Sequence, residues 1–163
     1  MADQNKYAIK VLDSKLLKES QRAIEDVAKE INILTDLDHE NIIKIYNYSD
    51  VGIIKKPSGS IRSNIVFLAL EFASGGLLFE VCETLGGLGE EMSRVFIKEI
   101  LSGLAYMQDK GISHRDLKLE NILVTSDYKI KIADFGFATT NRDFCQTYGG
   151  TQIYMAPEVS EGK

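Results

Sequence analysis

The stretch 112–136, ISHRDLKLENILVTSDYKIKIADFG, constrains the fold more than any other part of the chain. Two short apolar runs, 122–125 and 129–133, flank a Ser126-Asp127-Tyr128 turn and read as the arms of a β-hairpin. Runs this short and apolar are buried ones, so the polar residues at their ends, Asp116, Asn121 and Asp134, belong at the rim of a core. Two hard oxygen donors close together suit Mg2+, which takes few protein ligands and completes its shell with water and phosphate. Asp116 is then left as a carboxylate that accepts a proton or orients a hydroxyl.

Composition narrows the setting. The chain has 163 residues, 44% hydrophobic and 26% charged, with a net charge of -5. That admits one domain with a real core, and the mild acidity without a Lys/Arg-rich patch argues against nucleic acid as the main partner. Lys55-Lys56, before Pro57, reads as a solvated loop. No apolar run approaches the ~20 residues that span a bilayer, and no signal peptide opens the chain. Cys82 and Cys145 lack metal-ligand spacing, which points to a reduced, cytoplasmic protein.

Upstream, 6–12 is an alternating strand with Lys10 on the face opposite Ile9 and Val11. Segment 20–37 carries Ile24, Val27, Ala28, Ile31 and Leu34 at the spacing of a helix with a core-facing stripe. Glu30 falls on or beside that stripe, and a buried carboxylate needs a cation or a shifted pKa; Glu25 points away and should be solvated. Segments 42–48 and 65–72 read as strands, and 49–64, with Gly52, Pro57, Gly59 and four serines, as a loop. A short helix at 78–84 and a long one at 90–110 follow. The broad apolar belt of the long helix, from Val95 to Met107, implies cover from more than one side. Segment 139–153 is mostly polar and reads as mobile.

His114-Arg115-Asp116-Leu117-Lys118 with Asn121, then Asp134-Phe135-Gly136, then Ala156-Pro157-Glu158, preceded by Ala8-Ile9-Lys10, resembles the catalytic domain of eukaryotic protein kinases from about Tyr7 to Glu158. The resemblance implies an α+β, two-lobed fold in incomplete form. Residues 1–72 are then a partial small lobe, and 73–163 the hinge and a partial large lobe. The glycine-rich loop expected before Lys10, and the large-lobe helices expected after Lys163, have no counterpart, so a partial sequence is expected.

By the same resemblance, Lys10 holds the α- and β-phosphates of ATP and pairs with Glu30, Asp134 and Asn121 bind Mg2+, and Asp116 orients the attacking hydroxyl. Lys118 neutralises charge on the γ-phosphate. Ala8, Glu71, Ala73 and Leu123 line the nucleotide site, with Leu70 as gatekeeper and the backbone amides of 71–73 on adenine. Phe135 and His114 pack with Leu34 as a spine, and His39 is structural. Thr151 contacts Asp116 and Lys118, and Thr147 is a phosphosite for an upstream kinase with Arg115 as its partner.

Lys118 and Gly150-Thr151 match the serine/threonine kinases, loosely the calcium/calmodulin-dependent and AMP-activated groups. Leu77 stands where many basophilic kinases have a carboxylate. Glu120 is left as the acidic residue facing a basic substrate side chain. The implied function is transfer of the ATP γ-phosphate to a protein Ser or Thr; the competing reading is an inactive, truncated module that binds or scaffolds.

Overall fold

The computed structural model of the chain describes residues 6–12, 17, 19–140 and 150–161. The architecture is α+β, as the sequence implies: small antiparallel sheets packed with helices. Strands β1 (Tyr7–Leu12), β2 (Ile45–Lys55) and β3 (Ile61–Glu71) form one sheet in the order β1-β3-β2. Ala8 lies opposite Leu70 and Lys10 opposite Leu68, so these four share one face. The alternation in β1 turns Ala8 and Lys10 inward and leaves Ile9 and Val11 exposed, the reverse of the usual apolar-in pattern.

Helix α1 (Gln21–Asp36) starts at Ser20, whose side chain accepts the Ala23 N–H at 3.2 Å. It buries Glu30, Ile33 and Leu34. The expected stripe is only half covered: Leu34 is buried, but Ile24 is 45% exposed. Ile24, Val27, Ala28 and Ile31 line an open groove of about 820 Å³ beside Val51, Val66 and Phe67. The C-terminal half of α1 carries the packing because it faces Phe135 and Leu68 in the main core.

The segment 49–64 is not a loop. β2 and β3 run on as a long hairpin that turns only at residues 56–60. Gly52 sits in a ladder irregularity opposite Ile65, where a Cβ would lie 2.6 Å from the Phe67 ring, so its glycine serves close packing and not a turn.

Beyond β3 come β4 (Gly76–Leu77), α2 (Leu78–Leu85), α3 (Glu90–Asp109), β5 (Ile112–Ser113), β6 (Ile122–Val124), β7 (Ile130–Ile132), β8 (Thr139–Thr140) and α4 (Pro157–Ser160). β6 and β7 pair as the expected hairpin, with β4 on the outer side of β6; β5 pairs with β8. Within the described residues α3 is covered on one side, by way of Phe96, Gly103 and Met107, while Val95, Ile97 and Leu101 stay exposed.

β7 joins the two halves of the chain. Ile132 N–H donates to Asn41 O at 2.8 Å and Ile43 N–H donates to Ile132 O at 2.9 Å. Ile42 thereby forms a parallel bridge with Ile132. Leu34, Ile42, Ile132 and Phe135 are all but inaccessible in the same core. Each such side chain contributes about 1.5–3 kcal/mol by burial, so the segments carrying the polar motifs are fixed by packing. No helix among the described residues is long and apolar enough to cross a membrane.

Candidate active site

The loop between β5 and β6 is built around His114. Its Nε2 donates to Ala133 O at 3.0 Å, and its Nδ1 accepts the Asp116 N–H at 3.3 Å. A carbonyl only accepts and an amide N–H only donates, so the ring is neutral with its proton on Nε2. Burial pushes the His114 pKa below its usual value, against the opposing pull of the Ala133 carbonyl. The ring meets Phe135 edge-on at 5.0 Å; both are buried, and Phe135 shares the main core with Leu34. Arg115, at φ 65°, occupies the left-handed region, which redirects the chain so that Asp116 returns under Thr151.

Around Asp116 three residues converge. Thr151 donates twice to Asp116 Oδ1, from its N–H and its hydroxyl, each at 2.7 Å. Lys118 Nζ lies 3.0 Å from Asp116 Oδ2 and 2.7 Å from Thr151 Oγ1. Asn121 Nδ2 donates to Asp116 Oδ2 at 2.9 Å and to Asp116 O at 2.8 Å. Burial alone would raise the Asp116 pKa. The Thr151 and Lys118 hydrogen bonds and the Lys118 charge outweigh it, and the carboxyl is held below its usual value. Asp116 is therefore an anion at neutral pH although it is only 5% exposed.

A second cluster forms at Lys10. Its ammonium is 2.6 Å from Glu30 Oε1 and 3.2 Å from Asp134 Oδ1. Burial lowers the Lys10 pKa, but the charges and hydrogen bonds of Glu30 and Asp134 prevail and raise it, so the cation persists. Glu30 is buried, as its helix phase requires, while Glu25 is exposed and accepts a hydrogen bond from Gln21 Nε2 at 3.3 Å. Asp134, like Arg115, has a positive φ (59°) without being glycine. Such positions cost on the order of 1–3 kcal/mol and persist where surrounding packing imposes them.

Ala8 is half-buried beside Leu70, and Leu123 packs against the main core from β6. Glu71 differs from the expectation. Its N–H is taken by Lys44 O at 2.8 Å, so it has no amide to offer adenine. Its carboxylate binds Lys131 at 2.8 Å and the Lys44 N–H at 3.3 Å. Ala73 is half-buried in the connection that follows. Arg115 Nε donates to Phe137 O at 2.7 Å. Thr147 and Cys145 lie outside the described residues. Glu120 Oε2 is buried and has no hydrogen-bond partner among the described residues.

Asn41 and Glu99 escape a motif-based reading. Asn41, 3% exposed, donates to Ile130 O at 3.2 Å, and Glu99 Oε2 accepts the Ile130 N–H at 2.7 Å. The signal was present for Glu99: it lies on the same stripe as Phe96, Gly103 and Met107, the argument that singles out Glu30 on α1.

The donor set fits Mg2+ and a polyphosphate. Both amide hydrogens of Asn121 point to Asp116, which leaves its side-chain oxygen available to a cation, and its backbone oxygen accepts the N–H of Ala133, the residue before Asp134, at 2.9 Å. The Asn121 side-chain oxygen and the Asp134 carboxylate are two hard oxygen donors, with Lys10 and Lys118 as the nearby cations for phosphate.

The protein kinase domain family matches residues 1–163. The chain is 31% identical to the serine/threonine-protein kinase cds1 of Schizosaccharomyces pombe over 163 residues, covering 96% of this chain and 33% of that protein. It is 36% identical to the serine/threonine-protein kinase ATG1a of Arabidopsis thaliana over 157 residues, covering 93% of this chain and 23% of that protein. It is 34% identical to the serine/threonine-protein kinase ULK1 of Homo sapiens over 163 residues, covering 93% of this chain and 14% of that protein. The chain thus spans at most a third of the length of these relatives. A match along its whole length, joined to the two side-chain clusters described above, shows that the chain belongs to the protein kinase domain family.

Proposed function

We propose that this chain supplies the catalytic residues of a serine/threonine protein kinase, which transfers the γ-phosphoryl group of ATP to a Ser or Thr hydroxyl of a protein. The observation that carries the reading is the meeting of Asp116, Lys118, Asn121 and Thr151 in one cluster, with Lys10, Glu30 and Asp134 in another. Mg2+ and ATP, when bound, supply the phosphoryl group and the positive charge that offsets its oxygens.

The residues do the rest. Lys10, kept cationic by Glu30, grips the α- and β-phosphates, and Asp134 and Asn121 hold the metal. Asp116, kept ionised, accepts the proton of the acceptor hydroxyl as its oxygen bonds to the γ-phosphorus and the bond to ADP breaks. Lys118 offsets charge on the phosphoryl oxygens. Ala8, Leu123 and the Glu71–Ala73 connection border adenine, through the Glu71 carbonyl and the Ala73 amide. The boundary between the lobes is placed at residues 72 and 73.

Glu120, on the same loop as Asp116, is the proposed acidic partner for a basic substrate side chain near the acceptor. Thr147 is the proposed site for an activating kinase, with Arg115 receiving its phosphate. Absence of metal-ligand spacing around Cys82 and Cys145 supports a reducing, cytoplasmic location.

Thermal unfolding with and without Mg-ATP, on the wild type and on Lys10→Met, tests this reading. A ligand at one hundred times its Kd stabilises by about 2.7 kcal/mol, and the variant should gain far less. Absence of any shift, together with no phosphate incorporated into a basic Ser/Thr peptide, would favour the binding-module reading.

A further inference from the structure

The proposed reaction needs the oxygens of Asn121 and Asp134 at a fixed separation, yet both hang from the ends of a hairpin whose strands have three residues each. A hairpin that short does not hold its own geometry. The bracing comes from outside it. Glu99 on α3 accepts the Ile130 N–H at 2.7 Å, and Asn41, from the connection between α1 and β2, donates to Ile130 O at 3.2 Å. The Asn41 amide also approaches the same Glu99 oxygen, at 3.4 Å. Both backbone groups of the first residue of β7 are therefore gripped by two side chains that touch each other.

The second Glu99 oxygen meets Lys129 at 3.2 Å, at the foot of the turn; the Glu99 side chain is 14% exposed and that of Lys129 53%. One turn along α3, Gly103 permits the close approach. A Cβ there would lie 2.9 Å from Ile132 Cδ1 and 3.3 Å from Asn41 O, the oxygen that receives the Ile132 N–H. β7 is thus fixed at both ends, and Asp134 follows it by two residues.

We propose that Glu99, acting with Asn41, is a positioning residue for phosphoryl transfer: by anchoring Ile130 it sets where the hairpin presents Asn121 and Asp134 to the metal. The proposal rests on the kinase reading. It assigns Glu99 no contact with substrate or nucleotide.

Four variants of the full-length protein carrying this chain test it. Glu99→Met keeps the side-chain length and helix propensity but removes the acceptor. Glu99→Asp keeps the charge and draws it back by one methylene, and serves if the Met variant does not fold. Glu99→Gln keeps an oxygen for Ile130, and Lys129→Met removes only the exposed ion pair.

In Glu99→Met, kcat falls and the free Mg2+ for half-maximal rate rises, each by about 10-fold, the scale of losing a partner that orients a metal ligand. Glu99→Asp moves both in the same direction, and the peptide KM stays unchanged. Without nucleotide, the Ile130 amide exchanges faster in both variants. Gln and Lys129→Met stay within about 3-fold of wild type, an exposed pair being worth little. An active wild type beside folded Met or Asp variants with unaltered Mg2+ requirement overturns the proposal alone. A wild type that neither transfers phosphate nor is stabilised by Mg-ADP removes the kinase reading, and this proposal with it.

Discussion

Lys10 Nζ stands 2.6 Å from Glu30 Oε1, joining an edge strand to the buried face of a helix twenty residues away. Glu30 is 5% exposed, so Lys10 is what makes its charge tolerable there. Removing the cation in Lys10→Met leaves that carboxylate buried and unpaired. The expected loss is about 1–2 kcal/mol, below the 3–5 of a fully buried pair because Lys10 remains a third exposed. Urea denaturation measures it, and adding Glu30→Gln to Lys10→Met should restore part of the loss.

Thr151 reports on the other cluster. Its hydroxyl joins Asp116 and Lys118, so Thr151→Ala should lower kcat by about 10- to 100-fold while leaving the KM for ATP unchanged. Thr151→Ser, which keeps the hydroxyl, should retain most of the rate. Steady-state kinetics with a Ser/Thr peptide decides between these outcomes.

Gly150 precedes it at φ +114°, and a Cβ there would sit 2.5 Å from Arg115 O. Gly150→Ala is expected to cost about 1–3 kcal/mol in strain or to push Thr151 off Asp116. A combined fall in melting temperature and kcat, not rescued by more Mg-ATP, is the anticipated result.

The order of chemistry was legible because it is written in side chains. Asp116, Asn121 and Asp134 sit at the ends of short apolar runs, and Glu30 betrays itself as a charge on a helix's buried face. The β2–β3 hairpin was hidden because Gly52 and Pro57 carry turn composition, although Gly52 serves a close approach to Phe67. Half of the α1 stripe misled for a different reason: periodicity shows which residues share a face but not how much of that face a partner covers. Asn41 and Glu99 were harder still. Their partner is the backbone of Ile130, which every sequence possesses and none advertises.

His114 makes stability depend on pH. Burial holds its folded pKa below the usual 6.5, so the unfolded chain takes up a proton first as pH falls. The stability contributed by the neutral ring is fully present above the unfolded value and is lost as pH drops through 6.5 toward the lowered folded value. Protonating Nδ1 would also set it against the Asp116 N–H, donor against donor. The urea midpoint should therefore fall between about pH 7.5 and 5.5. His114→Gln should be less stable at the upper pH and show a flatter profile.

Phosphoryl transfer through Asp116 is measured by following labelled γ-phosphate from Mg-ATP onto a peptide bearing Ser, Thr and Tyr, with wild type and Asp116→Asn side by side. Phosphoserine or phosphothreonine is expected from the wild type. The rate should fall by about a hundred- to ten-thousand-fold in the variant, the scale of losing a positioned base. Equal rates in the two proteins, or label found on tyrosine alone, would contradict transfer to Ser or Thr through Asp116.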